Sequence, residues 1–222
     1  MRRFTTVLLD VDGTMVNTID LAVATLGGAL RQLTGSCPSD SELRAAMHLP
    51  TAEVVRRFFP EGDSDRLASA WSASFGARLT DEAFLYPGVR EGLGTLRAAG
   101  FRLGVVTAQT RAELTRTLSV FGLTDFFDAT VAVDEVSLPK PAPDSLLRAL
   151  SLLSATPEEA VYLGDSPSDV LAARRCGIES AAALWGGQSP AALLAARPDH
   201  SFPTFSAFVS WLLAPRGKSS PD

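Results

Sequence analysis

The sequence predicts an α/β protein, a parallel sheet whose strands alternate with helices, interrupted after its first strand by a small all-helical insertion. Two observations carry this. Five short apolar segments, residues 4–10, 101–107, 129–133, 160–165 and 180–185, each run into turn residues and a helical pattern, which is the rhythm of strands laid parallel through helical crossovers. Between the first of them and Val89, by contrast, lie about 70 residues with no convincing strand, far beyond the ~2–6 residues of an ordinary connection.

The first strand is apolar at Val7, Leu8 and Leu9 and ends on acidic residues. In the interval that follows, helical periodicity runs through residues 21–33, 42–47, 52–59 and 66–79, with breaks near 35–38, Pro50 and 60–62. Phe58, Phe59, Trp71 and Phe75 recur at helical spacing and are expected to form the insertion's own core. The insertion is placed at 16–81, leaving 1–15 and 82–215 as the α/β core and 216–222 as a frayed tail. In the core, a helix over 89–99 puts Leu93 and Leu96 on one face and stops at Gly100. Thr110 followed three residues later by Glu113 has capping-box spacing and opens the next helix. Ser166 opens another, with Pro167 in its first turn and Gly177 at its end.

Composition narrows the function classes. The 222 residues carry 20 Lys+Arg against 25 Asp+Glu, a formal net charge of −5, so no global basic field favours nucleic acid or an anionic membrane. Arg2 and Arg3 precede an apolar run that Asp10 and Asp12 cut short before a signal sequence is complete, and no apolar stretch approaches the ~18 residues of a membrane helix. A cytoplasmic protein, monomer or homodimer, is expected. Cys37 and Cys176 lack metal-ligand spacing and read as reduced thiols. The Gly217-Lys218-Ser219-Ser220 run has Leu212 where a P-loop needs its first glycine and follows no strand, so it is set aside.

Chemistry concentrates at strand ends, where open parallel sheets bind ligands. In Leu8-Leu9-Asp10-Val11-Asp12-Gly13-Thr14 two carboxylates two residues apart face one crevice in an extended chain, and Gly13 permits the bend that follows. Like charges so close need a cation or a proton between them. Thr107 closes the second strand, Lys140 lies in Pro139-Lys140-Pro141 after the third, and Asp165 closes the fourth in Gly164-Asp165-Ser166-Pro167-Ser168-Asp169. A hydroxyl, a cation and two acidic clusters gathered at one sheet edge suit phosphoryl chemistry with Mg²⁺. Each residue has a plainer role open to it: Asp169 as an acidic first-turn residue of a helix, Lys140 as a surface lysine in a rigid turn, Thr107 as a strand former, and Arg111 as a solvent-exposed cation.

Taken together and in order, Asp10-x-Asp12-Gly-Thr, Thr107, Lys140 and Gly-Asp165-Ser-x-x-Asp169 resemble the motifs of the haloacid dehalogenase superfamily, and the insertion resembles that family's helical C1 cap. The likeness reaches to about Trp211. Tyr86-Pro87-Gly88-Val89, Lys140-Pro-x-Pro and Ala-x-Trp185-Gly are most similar to phosphoglycolate phosphatases and related inorganic pyrophosphatases. The resemblance implies a Rossmann-like doubly wound core and a Mg²⁺-dependent phosphohydrolase acting on a small phosphorylated metabolite. It implies Asp10 as nucleophile, Asp12 as the acid and base, and Thr107, the Ala108 backbone and Lys140 on the phosphate. The metal would be held by Asp10, the Asp12 backbone carbonyl, Asp165 and Asp169, while His48 and Thr51 of the cap would meet substrate. Ala108 departs from the Asn or Ser common there, and Thr51 stands where sugar-phosphate mutases of the family have Arg. Asp12 is replaced in the dehalogenase and phosphonatase branches. Two alternatives stay open: a phosphomutase, and a receiver-like signalling module that also gathers acids, a Thr and a Lys around Mg²⁺.

Overall fold

The computed structural model describes residues 3–47, 49, 51–60, 63–187 and 189–214. His48 and the tail at 216–222 lie outside them. In chain order the core begins with β1 (Thr6–Leu9), and four helices follow a short β2 (Val16–Asn17): α1 (Ile19–Thr34), α2 (Asp40–Arg44), α3 (Thr51–Phe58) and α4 (Ser64–Glu82). After β3 (Phe84–Leu85), α5 (Val89–Ala98) leads to β4 (Arg102–Val106), α6 (Arg111–Val120) to β5 (Ala129–Val131) and α7 (Asp144–Leu153) to β6 (Ala160–Gly164). Then come α8 (Pro167–Cys176), β7 (Glu179–Ala183), α9 (Pro190–Ala195), β8 (His200–Phe202) and α10 (Phe205–Leu213).

Six strands form one sheet in the order β5-β4-β1-β6-β7-β8, with every pairing parallel. All four residues of β1 are buried, as a central strand covered on both faces requires. Its alternation divides the core: Val7 and Leu9 pack with Leu93, Leu114 and Phe208 on one face, and Leu8 packs with Leu146, Leu150 and Ala172 on the other. Each fully buried Leu contributes about 1.5–3 kcal/mol. The doubly wound α/β architecture read from the sequence is the architecture observed. Helix starts also form as expected, with capping boxes at Thr110/Glu113 and Ser166/Asp169 and a left-handed Gly177 ending α8.

Two features depart from the sequence reading. The sheet has a sixth strand, β8, whose three residues include a single large apolar side chain, Phe202, too little for a periodic signal. The interval read as strand-free contains β2 and β3, which pair antiparallel, Val16 with Leu85 and Asn17 with Phe84. Their pattern is invisible because each is two residues long and Phe84 is exposed. Between them, α1 to α4 enclose a separate apolar cluster built on Leu26, Leu30, Leu43, Val54, Leu67 and Trp71, with Phe58, Phe59 and Phe75 packed against it. Among the described residues no helix is long and apolar enough to cross a membrane.

This topology sets the place of the site. From β1 the sheet grows through β4 on one side and through β6 on the other, so the carboxyl ends of these three strands open a crevice at the point where strand order reverses.

Candidate active site

Asp10 is the first residue past β1, only 7% exposed, and its backbone N–H donates to the Leu163 carbonyl at 2.9 Å, which ties it to the end of β6. Lys140 arrives from the loop before α7 and sets its Nζ 3.2 Å from Asp10 Oδ2 and 2.7 Å from Asp169 Oδ1. Asp165 follows β6, and Asp169 stands in the first turn of α8, where its Oδ2 accepts from the Ser166 N–H at 3.0 Å and the Ser166 hydroxyl at 2.6 Å. Asp169 Oδ1 also lies 2.9 Å from the Tyr162 hydroxyl. Asp169 is therefore both a helix cap and the anchor that orients Lys140. Both of its oxygens are already engaged by these donors.

Glycines make the close approach possible. Gly13 takes φ +77°, and a Cβ there would stand 2.2 Å from Asp165 Oδ2; one on Gly186 would stand 2.4 Å from the Asp165 Cβ and 2.7 Å from the Gly13 carbonyl oxygen. Trp185 Nε1 donates to the Thr14 carbonyl at 3.0 Å and the Thr14 hydroxyl donates to Asp165 Oδ1 at 3.3 Å, which locks the two loops together.

Asp12 occupies a different wall. Its Oδ1 accepts from the Thr18 hydroxyl at 2.5 Å, and the Gln109 Nε2 donates to both of its oxygens at 2.9 Å. The half-buried carboxylate is thus held between the start of α1 and the loop after β4, and it is not among the carboxylates that cluster at Asp10, Asp165 and Asp169. Thr107 is buried, its hydroxyl accepting from the Gln109 N–H at 3.2 Å, and with Ala108 it lines a recess that Lys140 also borders. Thr51, at the start of α3, faces the cleft between the insertion and the core. Arg111 keeps a side chain 39% exposed, as expected, while donating to Thr130 and pairing with Glu135 at 2.5 Å. Trp71 and Phe75 join the insertion's core as expected and also line the cleft.

Sequence reasoning did not single out Gln109, Thr18 or Tyr162. Gln109 and Asp12 are 97 positions apart, and a lone glutamine carries no motif; Tyr162 in an apolar strand reads as an ordinary strand former.

Burial dominates the electrostatics. It pushes the Asp10 carboxyl up to about 7, against the pull of Lys140 and with help from Asp169 and Asp12. It also raises Asp12, despite the stabilising bonds from Thr18 and Gln109, and raises Asp165 far above the carboxylate range, with Asp169 and Asp10 adding to it. Burial alone would favour a neutral Lys140, but Asp10 and Asp169 outweigh it and hold the ammonium charged. For Asp169 burial is outweighed by Lys140, Ser166 and Tyr162, which keep its carboxylate anionic.

Residues 7–183 match the haloacid dehalogenase-like hydrolase family. The chain belongs to that family. The family is one of hydrolases. Pyrophosphatase PpaX of Bacillus velezensis is 32% identical to it, the match covering 90% of this chain and 92% of the relative. The fold superposes on the crystal structure of a predicted phosphoglycolate phosphatase from Haemophilus somnus with a TM-score of 0.89 at 22% identity, covering 95% of this chain and 99% of the other. It superposes on CbbY from Rhodobacter sphaeroides, solved in complex with phosphate, with a TM-score of 0.78 at 23% identity, covering 91% and 95%.

In this haloacid dehalogenase-like hydrolase the acidic cluster fits a divalent cation on its own chemistry. Carboxylate oxygens of Asp10, Asp165 and Asp169 lie within 4.8 Å of one another, and hard cations take such oxygen ligands. Asp10 Oδ1 is buried with no hydrogen-bond partner, a state that costs free energy unless something outside the chain completes it. Burial drives Asp10 and Asp165 toward protonation, and a bound cation reverses that drive.

Proposed function

We propose that this chain is a Mg²⁺-dependent phosphohydrolase that cleaves a small phosphorylated metabolite through an aspartyl-phosphate on Asp10. The observation that carries the reading is the arrangement around Asp10: a carboxylate with one free buried oxygen and an ammonium 3.2 Å from the other, beside a second carboxyl on a separate wall. In this reading residues 16–81 act as a helical cap over a core formed by 1–15 and 82–215.

Asp10 attacks phosphorus, the bond from phosphorus to the ester oxygen breaks, and Asp12 gives its proton to the departing oxygen. The same carboxylate then takes a proton from the water that attacks the aspartyl-phosphate, so inorganic phosphate leaves and Asp10 is regenerated. Burial raises Asp12 in the direction an acid needs. Thr18 and Gln109 fix its orientation through both half-reactions. The Lys140 ammonium, oriented by Asp169, neutralises charge on the transferring group, and the Thr107 hydroxyl and Ala108 N–H supply donors to its oxygens. Asp10 and Asp165, with the Asp12 backbone carbonyl, would hold Mg²⁺, while Asp169 acts through Lys140. The cation supplies charge neutralisation between an anionic nucleophile and an anionic phosphate.

A phosphate-release screen with and without Mg²⁺ tests this reading, with phosphoglycolate and pyrophosphate included because structural and sequence relatives carry those names. Multiple turnover that chelation abolishes is the expected result. A single phosphorylation per chain, or turnover that needs a bisphosphate activator, would replace hydrolysis by a signalling or mutase role.

A further inference from the structure

Two cavities meet at Asp12. The smaller is bordered by Asp10, Lys140, Asp165 and Ser166 and is the phosphate end. The larger opens between the insertion and the core. They share Asp12, Ile19, Met47 and Ala108, so a phosphate ester threaded through the junction places its bridging oxygen beside the acid that must protonate it and its alcohol portion in the larger cavity.

The larger cavity has a distinctive wall. Trp71 and Phe75 on α4 face it together with Ile19, Met47 and Leu49, and the charged groups on its described lining are the carboxylates of Asp12 and Glu113. Trp71 is rigidly held, its Nε1 donating to the Thr25 hydroxyl at 3.2 Å, and Glu113 is fixed by the Thr110 N–H and hydroxyl at 2.8 Å each. A leaving group that carries its own negative charge, such as a carboxylate or a second phosphate, would meet the Glu113 carboxylate and apolar surface with no cation on the described lining, whereas a flat apolar group finds aromatic faces and loses only water. We infer that the preferred substrates are phosphomonoesters of uncharged alcohols bearing an aromatic or similarly flat apolar group, rather than phosphoglycolate or pyrophosphate. This rests on the phosphohydrolase reading above.

Phosphate release from phenethyl phosphate, ethyl phosphate, phosphoglycolate and pyrophosphate, each with saturating Mg²⁺, tests it. Ethyl phosphate reports the phosphoryl chemistry without engaging the wall. The expected kcat/KM for phenethyl phosphate exceeds those for ethyl phosphate and phosphoglycolate by about tenfold or more. Phe75→Ala should bring the phenethyl-to-ethyl ratio toward one, and Glu113→Gln, which keeps the helix cap, should raise the phosphoglycolate-to-ethyl ratio. A preference of the unaltered enzyme for phosphoglycolate or pyrophosphate, or ratios that neither variant moves, would overturn the inference while leaving the phosphatase intact. Failure to release phosphate from all four esters and anhydrides would overturn the proposed function and this inference with it.

Discussion

Lys140→Met removes the ammonium while keeping an unbranched side chain of comparable length, and its cost follows from the geometry. Nζ stands 3.2 Å from Asp10 and 2.7 Å from Asp169, with side-chain exposures of 6%, 10% and 1% for the three residues. Taking one partner from a buried pair typically costs about 3–5 kcal/mol. Asp10, already pushed up to about 7, sheds part of the penalty by binding a proton, and Asp169 keeps its bonds to Ser166 and Tyr162, so the low end, about 3 kcal/mol near pH 8, is expected. For a chain of this size that is a fall in Tm of roughly 6–12 °C, at ~2–4 °C per kcal/mol. The pH sign is definite. In the unaltered protein Asp169 is held below its ordinary range, so its contribution is present above about pH 4 and is lost on acidification through its folded value. Without Lys140, only Ser166 and Tyr162 oppose burial at Asp169, so its carboxyl rises, as does that of Asp10, and the variant's deficit shrinks as pH falls from about 8 to about 5. Thermal unfolding followed by circular dichroism in chelator, at both pH values, measures this. An unchanged Tm, or a deficit that widens on acidification, would refute the assigned pairings.

Asp10→Asn should retain the melting profile and reduce turnover to background, since an amide is a poor nucleophile; substantial residual activity assigns the nucleophile elsewhere. Asp165→Asn should weaken Mg²⁺ binding by about tenfold or more in calorimetric titration, and an unchanged isotherm removes Asp165 from the metal site. Gln109→Leu takes two hydrogen bonds from Asp12 and should lower kcat by about tenfold or more for alkyl phosphates, at ~1.5–3 kcal/mol per bond to a charged group. An aryl phosphate, whose leaving group needs little protonation, should be much less affected.

How far the sequence exposed this molecule depends on how local each signal is. The five strands read from the sequence declare themselves because a strand buried on both faces is largely apolar, as are β1 and β6, which are buried at every position. The helix starts at Thr110 and Ser166 are legible because a capping box fits within four residues. What escapes is short or distant. β2 and β3 hold two residues each, and β8 offers Phe202 as its single large apolar side chain, below any periodicity. The acids, Lys140 and Thr107 form ordered motifs and are found; the groups that hold them, Gln109 and Thr18 on Asp12 and Tyr162 on Lys140 and Asp169, act through tertiary contacts that no spacing encodes. Arg111 is partly exposed, as read, but its partners Glu135 and Thr130 are again tertiary contacts that no spacing encodes.

The paired β2 and β3 carry a mechanical consequence. Both crossings between the sheet and the helical insertion run side by side, so the two bodies share a single spine, and the pairing of Val16 with Leu85 resists sliding across it. Turning about that line is left as the soft direction. The spine begins one bridge away from Asp12, through Val16, and the Thr18 hydroxyl that grips the same carboxylate sits just beyond it. A swing of the helical half would therefore tug first on Asp12, the acid of the proposed mechanism, so the insertion and that carboxyl are wired to one axle.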